Sequence, residues 1–233
     1  MRAANEEIDA FCESAAQDLR GPARQIERTA RTLVASCGST LDSETQTHVE
    51  GLLQEAQRLE RLLDDLERLS QLTRAELRKQ EVDLVSIAES SIARLRLSAP
   101  DRSVVFRAQG PSRAQADPAL VTVVLDNLLD NAWKFTAGRT AAEIVFGTSS
   151  NDRGRTTYFV RDNGVGFDMA ASDQLFGPFP HGRSSQERHD RGIGLATVRR
   201  IVHRHGGRVW AESTPGHGAT IYFTLEDSVT NEA

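Results

Sequence analysis

Pro118–Thr136 reads PALVTVVLDNLLDNAWKFT, and its apolar positions Leu120, Val124, Leu125, Leu128, Leu129 and Ala132 recur at the three-and-four spacing of an amphipathic helix. Asp117 can cap that helix, and Pro118 suits its first turn, where no backbone donor is needed. Asn127 and Asn131 sit four apart, with Lys134 three further on, so all three lie on one side of the helix. An amide oxygen can ligand a hard cation, and a lysine can meet a phosphate as a point charge. The plain alternative is a core helix with a solvated polar face, which a lone NxxxN also suits. The motifs downstream weigh against it.

Working outward, Ala142–Thr148 and Thr156–Arg161 read as strands joined by the turn Asn151-Asp152-Arg153-Gly154. Met169–Asp190 lacks periodicity and is long for a connection in a compact domain, which predicts a functional loop such as a lid. Ile193–His205 reads as a helix stopped by Gly206-Gly207, and Arg208–Glu212 and Ala219–Leu225 as closing strands. Asp227–Ala233 reads as a frayed tail. Before the asparagine helix, Lys79–Asp83 reads as a linker, Leu84–Leu97 as a helix and Ser103–Ala108 as a strand. This order predicts an α+β chain whose second part is a two-layer α/β sandwich.

The first third reads as two long helices. Phe11, Ala15, Leu19, Pro22, Ile26, Thr29 and Leu33 alternate in fours and threes, a coiled-coil-like seam, and Leu52, Ala56, Leu59, Leu63, Leu66 and Leu69 or Ser70 continue the pattern. Pro22 is expected to kink or loosen one turn. A lone hairpin has little core, so dimerisation into a four-helix bundle is expected over a hairpin packed on the second domain.

The 233 residues, 39% hydrophobic and 26% charged, describe an ordinary soluble protein. A net charge of -5 gives no reason to expect nucleic acid or an anionic membrane as partner. Cys12 and Cys37 read as reduced thiols of a cytoplasmic protein, and no apolar run reaches the roughly 18 residues of a membrane span.

Three glycine-containing stretches follow the asparagine helix: Asp162-Asn163-Gly164-Val165-Gly166-Phe167 at a strand end, Gly192-Ile193-Gly194-Leu195 opening a helix, and Gly216-His217-Gly218-Ala219-Thr220 leading into the last strand. Glycine lets a backbone approach a ligand closely, and a helix start offers unpaired amides to phosphate. The Asp162 carboxylate can accept a purine's exocyclic amine. Singly, each glycine pair reads equally well as an ordinary turn. Together, in the order NxxxNxxK, DxGxG, lid, GxG, they carry more.

LDNLLDNAWKFT, DNGVGF, LFGPF, GIGLATVRRIVHRHGG and GHGATIYF resemble the nucleotide-binding boxes of sensor histidine kinases, and FCESAAQDLRGP resembles their phosphoacceptor helix. The similarity runs from about Phe11 to Leu225, in the style of the group found behind phytochrome-like and PAS-type sensors. It implies a dimerising helical hairpin over residues 1–78 and, over 79–228, an ATP-binding α/β sandwich of the kind shared with gyrase and Hsp90. It further implies ATP and magnesium as cofactors, a homodimer, a response regulator receiver domain as partner, and an upstream sensor domain or partner kinase. Residue by residue, Asn131 is implied to ligate magnesium, with Asn127 supporting phosphate or metal. Lys134 is implied to face the phosphates and Phe135 to line the pocket. Asp162 is implied to bind the adenine amine, with Gly164 and Gly166 shaping that wall. Phe176 and Phe179 would anchor the lid, Gly192 and Gly194 present amides to the triphosphate, and Thr220 sit behind the adenine site. Asn127 stands where ATP-hydrolysing relatives carry a glutamate, and an amide cannot act as a general base.

Two departures matter. The family's phosphoacceptor histidine aligns with Gln17, two residues from each of the seam positions Ala15 and Leu19 and so about 200° around the helix from both. An amide nitrogen, its lone pair delocalised, does not attack a phosphate as imidazole does. Asp18 matches the acidic residue that assists that histidine, and Gly21 stands where phosphatase-competent relatives carry Thr or Asn. The second departure is Asp190-Arg191 in place of the usual Gly-Thr before Gly192, a carboxylate opposing a polyphosphate unless Arg191 or Arg188 compensates. His48, His181 and His189 are weak surrogates for the acceptor. The expectation is a histidine kinase core with little or no autophosphorylation, the alternative a pseudokinase acting as a binding module.

Overall fold

The computed structural model describes residues 2–37, 42–74, 76–110, 112–150, 156–171, 175–176 and 194–225; the side chains of residues 2–17, 37, 58, 61–62, 65–74, 150 and 171 lie outside that description. The chain divides into two compact units, Met1–Ala75 and Glu76–Ala233. Among the described residues, no helix is long and apolar enough to cross a membrane.

The first unit is a helical hairpin of α1 (Arg2–Cys37) and α2 (Ser43–Arg74). Pro22 lies inside α1, where it has no N–H to offer the carbonyl of Asp18, yet the helix runs through it. The two helices meet through small residues. Ala23 and Ala30 of α1 are buried, seven apart, as are Val49, Ala56 and Leu63 of α2. Along one edge Arg20 pairs with Asp64 at 2.7 Å, Arg24 with Glu60 at 3.5 Å, and the Gln57 amide donates to Glu27. Exposed pairs of this kind add little stability, but in series they set the register. The expected seam therefore divides in two. Leu19, Ile26 and Leu33 are 49%, 48% and 43% exposed, and Leu52 is 54% exposed. Alanines let the backbones approach, and Leu19, Ile26, Leu33 and Leu52 are turned outward as a second stripe.

The second unit holds β1 (Gln80–Asp83), α3 (Leu84–Ser98), β2 (Val104–Gln109), β3 (Arg113–Ala116), α4 (Pro118–Phe135), β4 (Ala142–Ser150), β5 (Thr156–Asp162), α5 (Gly194–Arg204), β6 (Val209–Thr214) and β7 (Gly218–Phe223). Five strands form one sheet in the order β2-β4-β5-β7-β6, with β2 parallel to β4 and every other pair antiparallel. Gln80–Asp83 is no linker: it pairs antiparallel with β3, Val82 opposite Ala114. Each strand has only four residues, and their partners lie thirty or more positions away.

One face of the sheet is covered by α3, α4 and α5, which makes the two-layer sandwich. Between the layers sit Leu84, Ala88 and Ile92 of α3, Leu125, Leu128 and Leu129 of α4, and Val198, Ile201 and Val202 of α5, against Ile144, Phe146, Val160 and Phe223. Both caps of α4 follow the local sequence. The Asp117 carboxylate accepts from the amides of Ala119 and Leu120, and Pro118 opens the helix. At the far end Thr136, fully buried, returns its hydroxyl to the carbonyls of Ala132 and Trp133. Arg102 donates to that hydroxyl at 2.8 Å and lies over the Trp133 ring, a cation at a helix C-terminus.

His205 joins α5 to the start of α4. It is buried, its Nδ1 is 2.8 Å from the Ile201 carbonyl, and its Nε2 accepts the Asp117 amide at 3.0 Å. That pairing requires a neutral ring with the proton on Nδ1. Burial, more than any other cause, holds its pKa below the ordinary 6.5. The unfolded chain therefore takes up a proton here that the fold refuses. This contribution to stability is complete above the unfolded value and is lost as pH falls beneath it. The advantage of the parent over a His205→Gln form, read as the difference in melting temperature, should shrink as pH falls from about 7.5 to about 5.5.

Candidate functional site

Asp162 ends β5 with its side chain on the helix-covered face, 9% exposed. Its carboxylate accepts the Gly164 amide at 2.7 Å and is also bonded by the Ala219 amide. Burial raises its pKa above the ordinary carboxylate value; those two amides, and then the charge of Arg139, pull it back. Two amides do not exhaust a carboxylate's acceptor capacity. The result is a buried carboxyl group, fixed in place, with lone pairs left for a ligand's donor.

The wall around it is built by exclusion of side chains. A Cβ at Gly164 would fall 2.4 Å from the Phe135 carbonyl oxygen, which accepts the Val165 amide. Gly166 has φ +64°, and a Cβ there would lie 2.3 Å from the Thr214 carbonyl oxygen. Gly218, at φ +90°, would place one 2.0 Å from the Asp162 carbonyl oxygen. The loop after β5 is thus wedged between the end of α4 and the β6–β7 turn. Asn163 ties it to β4, accepting the Glu143 amide and donating to the Ala141 carbonyl. Ser213 receives the Phe167 amide and donates to the Gly218 carbonyl.

On α4, Asn127, Asn131 and Lys134 are all half-buried along the side left by its core stripe. The Asn127 amide donates to the Val123 carbonyl at 2.7 Å, which leaves its oxygen facing the start of α5. A Cβ at Gly194 would lie 2.5 Å from that oxygen, so glycine lets the two helices meet there. Lys134 extends over the Phe135 ring, its Nζ 5.4 Å from the centroid. Phe135 is half-buried, and its carbonyl joins this helix end to the Asp162 loop. The fold therefore brings Asp162, Gly164, Gly166 and Phe135 together and sets Asn127 against Gly194. Asn131 and Lys134 occupy the next turn of the same helix face.

Thr220 stands elsewhere. Strand pairing sets Ala219 opposite Asp162 and Thr220 opposite Arg161. Side chains alternate across a strand, so Thr220 faces the outer side of the sheet. There it hydrogen-bonds Tyr222, whose hydroxyl also donates to Glu212. What lies beside Asp162 is the backbone of Ala219. Phe176 is half-buried. Gln17 lies within α1 with its side chain outside the described residues, and the neighbouring Asp18 is exposed. Phe179, Gly192, His181, His189, Asp190 and Arg191 also fall outside them. Sequence reasoning passed over Ala219, Ser213 and Arg139. Backbone amides carry no residue signature, and a lone arginine in a loop has no periodicity to mark it.

Residues 116–229 match the histidine kinase-, DNA gyrase B-, and HSP90-like ATPase family. The chain is 32% identical over 229 residues to cyanobacterial phytochrome B of Nostoc sp., covering 97% of this chain and 30% of that protein. It is 32% identical over 227 residues to the methanogenesis regulatory histidine kinase FilI of Methanothrix harundinacea, covering 97% of this chain and 25% of that one. The sensor protein kinase WalK of Staphylococcus epidermidis is 32% identical over 178 residues, 74% of this chain and 29% of its own. The chain thus spans less than a third of the length of these relatives. Among solved structures, full-length ShkA in complex with AMPPNP superposes with a TM-score of 0.62 at 25% identity, over 92% of this chain and 45% of that one. The mycobacterial sensor histidine kinase MprB shares the fold, with a TM-score of 0.52 at 22% identity over 63% of this chain and 95% of that one.

The glycine geometry separates two substitutions that look alike in sequence. Gly216 also has positive φ, +81°, but a Cβ there meets nothing within 4 Å. Gly216→Ala should cost about 1 kcal/mol from backbone strain, and Gly218→Ala more than about 2 kcal/mol because the added carbon strikes backbone. Denaturant unfolding of the two variants beside the parent checks the order.

Proposed function

The chain belongs to the sensor histidine kinases, its residues 116–229 being a histidine kinase-, DNA gyrase B-, and HSP90-like ATPase domain, and on that premise we propose that it is a two-component kinase core that binds ATP with magnesium. The observation that carries this reading is Asp162: a buried carboxylate, held by amides, with acceptor capacity left over. An adenine amine supplies the donor such a group calls for. The Asn131 amide oxygen would hold the metal, with the Asn127 oxygen in support. Both are neutral hard donors of the kind magnesium takes alongside phosphate oxygens. When bound, the ion neutralises charge that develops on the phosphates during transfer. Lys134 would meet the phosphates as a point charge, near the first turn of α5. Asn127 cannot take a proton from water, so the site suits transfer to a protein group over hydrolysis.

The transfer itself stops at Gln17. Its delocalised amide nitrogen is no nucleophile, and the exposed Asp18 beside it has no imidazole to orient. Autophosphorylation of this chain is expected to be absent or very low. Gln17 also favours a second reading, a pseudokinase that serves partner kinases or response regulators as a binding module. In either case a homodimer is proposed, because Leu19, Ile26 and Leu33 expose an apolar stripe seven residues apart that a hairpin cannot bury alone. A response regulator receiver domain and an upstream sensor or partner kinase complete the proposed assembly, and a cytoplasmic location goes with them.

Labelling with ATP and magnesium, run on this chain beside its Gln17→His form, separates the readings. The kinase-core reading expects an acid-labile phosphate on the histidine form alone. No label on either leaves the binding module. Separately, Asn131→Ala should weaken magnesium-dependent ATP binding at least tenfold, about 1.4 kcal/mol. Unchanged affinity by calorimetry would remove the metal assignment.

A further inference from the structure

Arg139 follows α4 in the short loop to β4 and belongs to none of the nucleotide-binding motifs. Its own amide donates to the Thr136 carbonyl at 3.0 Å, so its backbone is anchored on the C-terminal cap of α4. Its guanidinium reaches the carbonyl oxygens of both Gly164, at 2.9 Å, and Gly216 through one nitrogen, Nη2. Those carbonyls belong to the two loops that flank Asp162. The loops also touch through the Gly216 amide, which donates to the Val165 carbonyl at 2.7 Å, while the Val165 amide donates to Phe135 at 3.2 Å. Two carbonyl dipoles converging on one point repel unless a donor sits between them, and a charged donor does this best.

The placement also answers an electrostatic difficulty. Burial disfavours the ionised form of Asp162, and a cation in direct contact would offset this but would occupy the oxygens a ligand needs. Arg139 instead rests on neighbouring carbonyls, and its field still favours the ionised carboxylate. The other charged side chains on the adjoining strands face away. Arg161 lies over the Phe159 ring on the outer side of the sheet, and Glu143 pairs there with Arg107 at 3.1 Å. Ile144 of β4 and Ala219 of β7, the residues directly opposite Asp162, are uncharged.

We propose that Arg139 is a positioning residue of the adenine site, pinning the Asp162 loop to the Gly216 turn so that the base wall keeps its spacing while the carboxylate stays free for the ligand. The proposal rests on the nucleotide reading above for its ligand, though not for the pin itself.

The test compares the full chain with its Arg139→Ala and Arg139→Lys forms. Without nucleotide, hydrogen exchange at the Val165 and Gly216 amides should quicken about tenfold in Arg139→Ala and less in Arg139→Lys. Unchanged protection at both amides overturns the pin. With ATP, calorimetry across a pH series should show about tenfold weaker binding for Arg139→Ala. The same form should lose binding at a higher pH on acidification than the parent, because Asp162 has lost a neighbouring charge. Arg139→Lys, which keeps the charge, should restore that acid limb and part of the affinity. Parent-like affinity with an unmoved acid limb in Arg139→Ala overturns the inference, as does a lysine form impaired as much as alanine in both readouts. If Arg139→Ala loses protection throughout α4, it has misfolded, and the lysine form alone decides. A parent chain that binds no ATP sinks the nucleotide reading instead, and exchange at the two amides still decides the pin.

Discussion

The rotation of α4 about its own axis governs the second unit. Leu120, Val121, Val124, Leu125, Leu128, Leu129, Ala132 and Trp133 are all buried, and no other rotation of the helix would bury that set. Turning it by one residue, about 100°, would drive Asn127 and Asn131 into the core and lift leucines into water. Burial of a leucine is worth about 1.5–3 kcal/mol, so several together hold the angle firmly. Every polar feature of the site inherits its direction from this packing: the Asn127 oxygen toward Gly194, the Phe135 carbonyl toward Val165, and Arg139 toward the two loops beyond.

Around that helix the binding wall is made of backbone. Gly164, Gly166 and Gly218 each approach a carbonyl oxygen within 2.4 Å of where a side chain would begin. Three chain segments far apart in sequence can therefore close on Asp162 backbone to backbone. Burial strains the carboxylate by raising its pKa, and the amides of Gly164 and Ala219 offset part of that cost. Strain and compensation at one buried acid are common where a ligand is to be held.

The hairpin follows a different economy. Its own contact uses Ala23, Ala30, Val49, Ala56 and Leu63, while Leu19, Ile26, Leu33 and Leu52 remain outside. The heptad pattern was legible in the sequence, and so was the helical pair. Which members of the pattern face the partner helix was not, because a helix carrying two stripes looks periodic from either. The same limit hid β1 and β3, whose four residues each acquire a strand's geometry only from one another.

Sequence by itself determined the elements with strong local signals. The amphipathic run with its Asp117 cap became α4, the Asp162 motif became a strand end with its glycine loop, and the alternating runs became β4 and β5 within two residues of their expected ends. These rest on periodicity and on near-neighbour hydrogen bonds, which the chain carries wherever it is. Tertiary structure alone decided which face of β7 looks into the site, and so put the Ala219 amide beside Asp162 and Thr220 on the outer side. It alone made His205 an acceptor for α4 and Arg139 a bridge between two glycine loops. Strand register and long-range contact depend on how separate segments meet, and a one-residue change in register reverses every side chain without altering any local pattern.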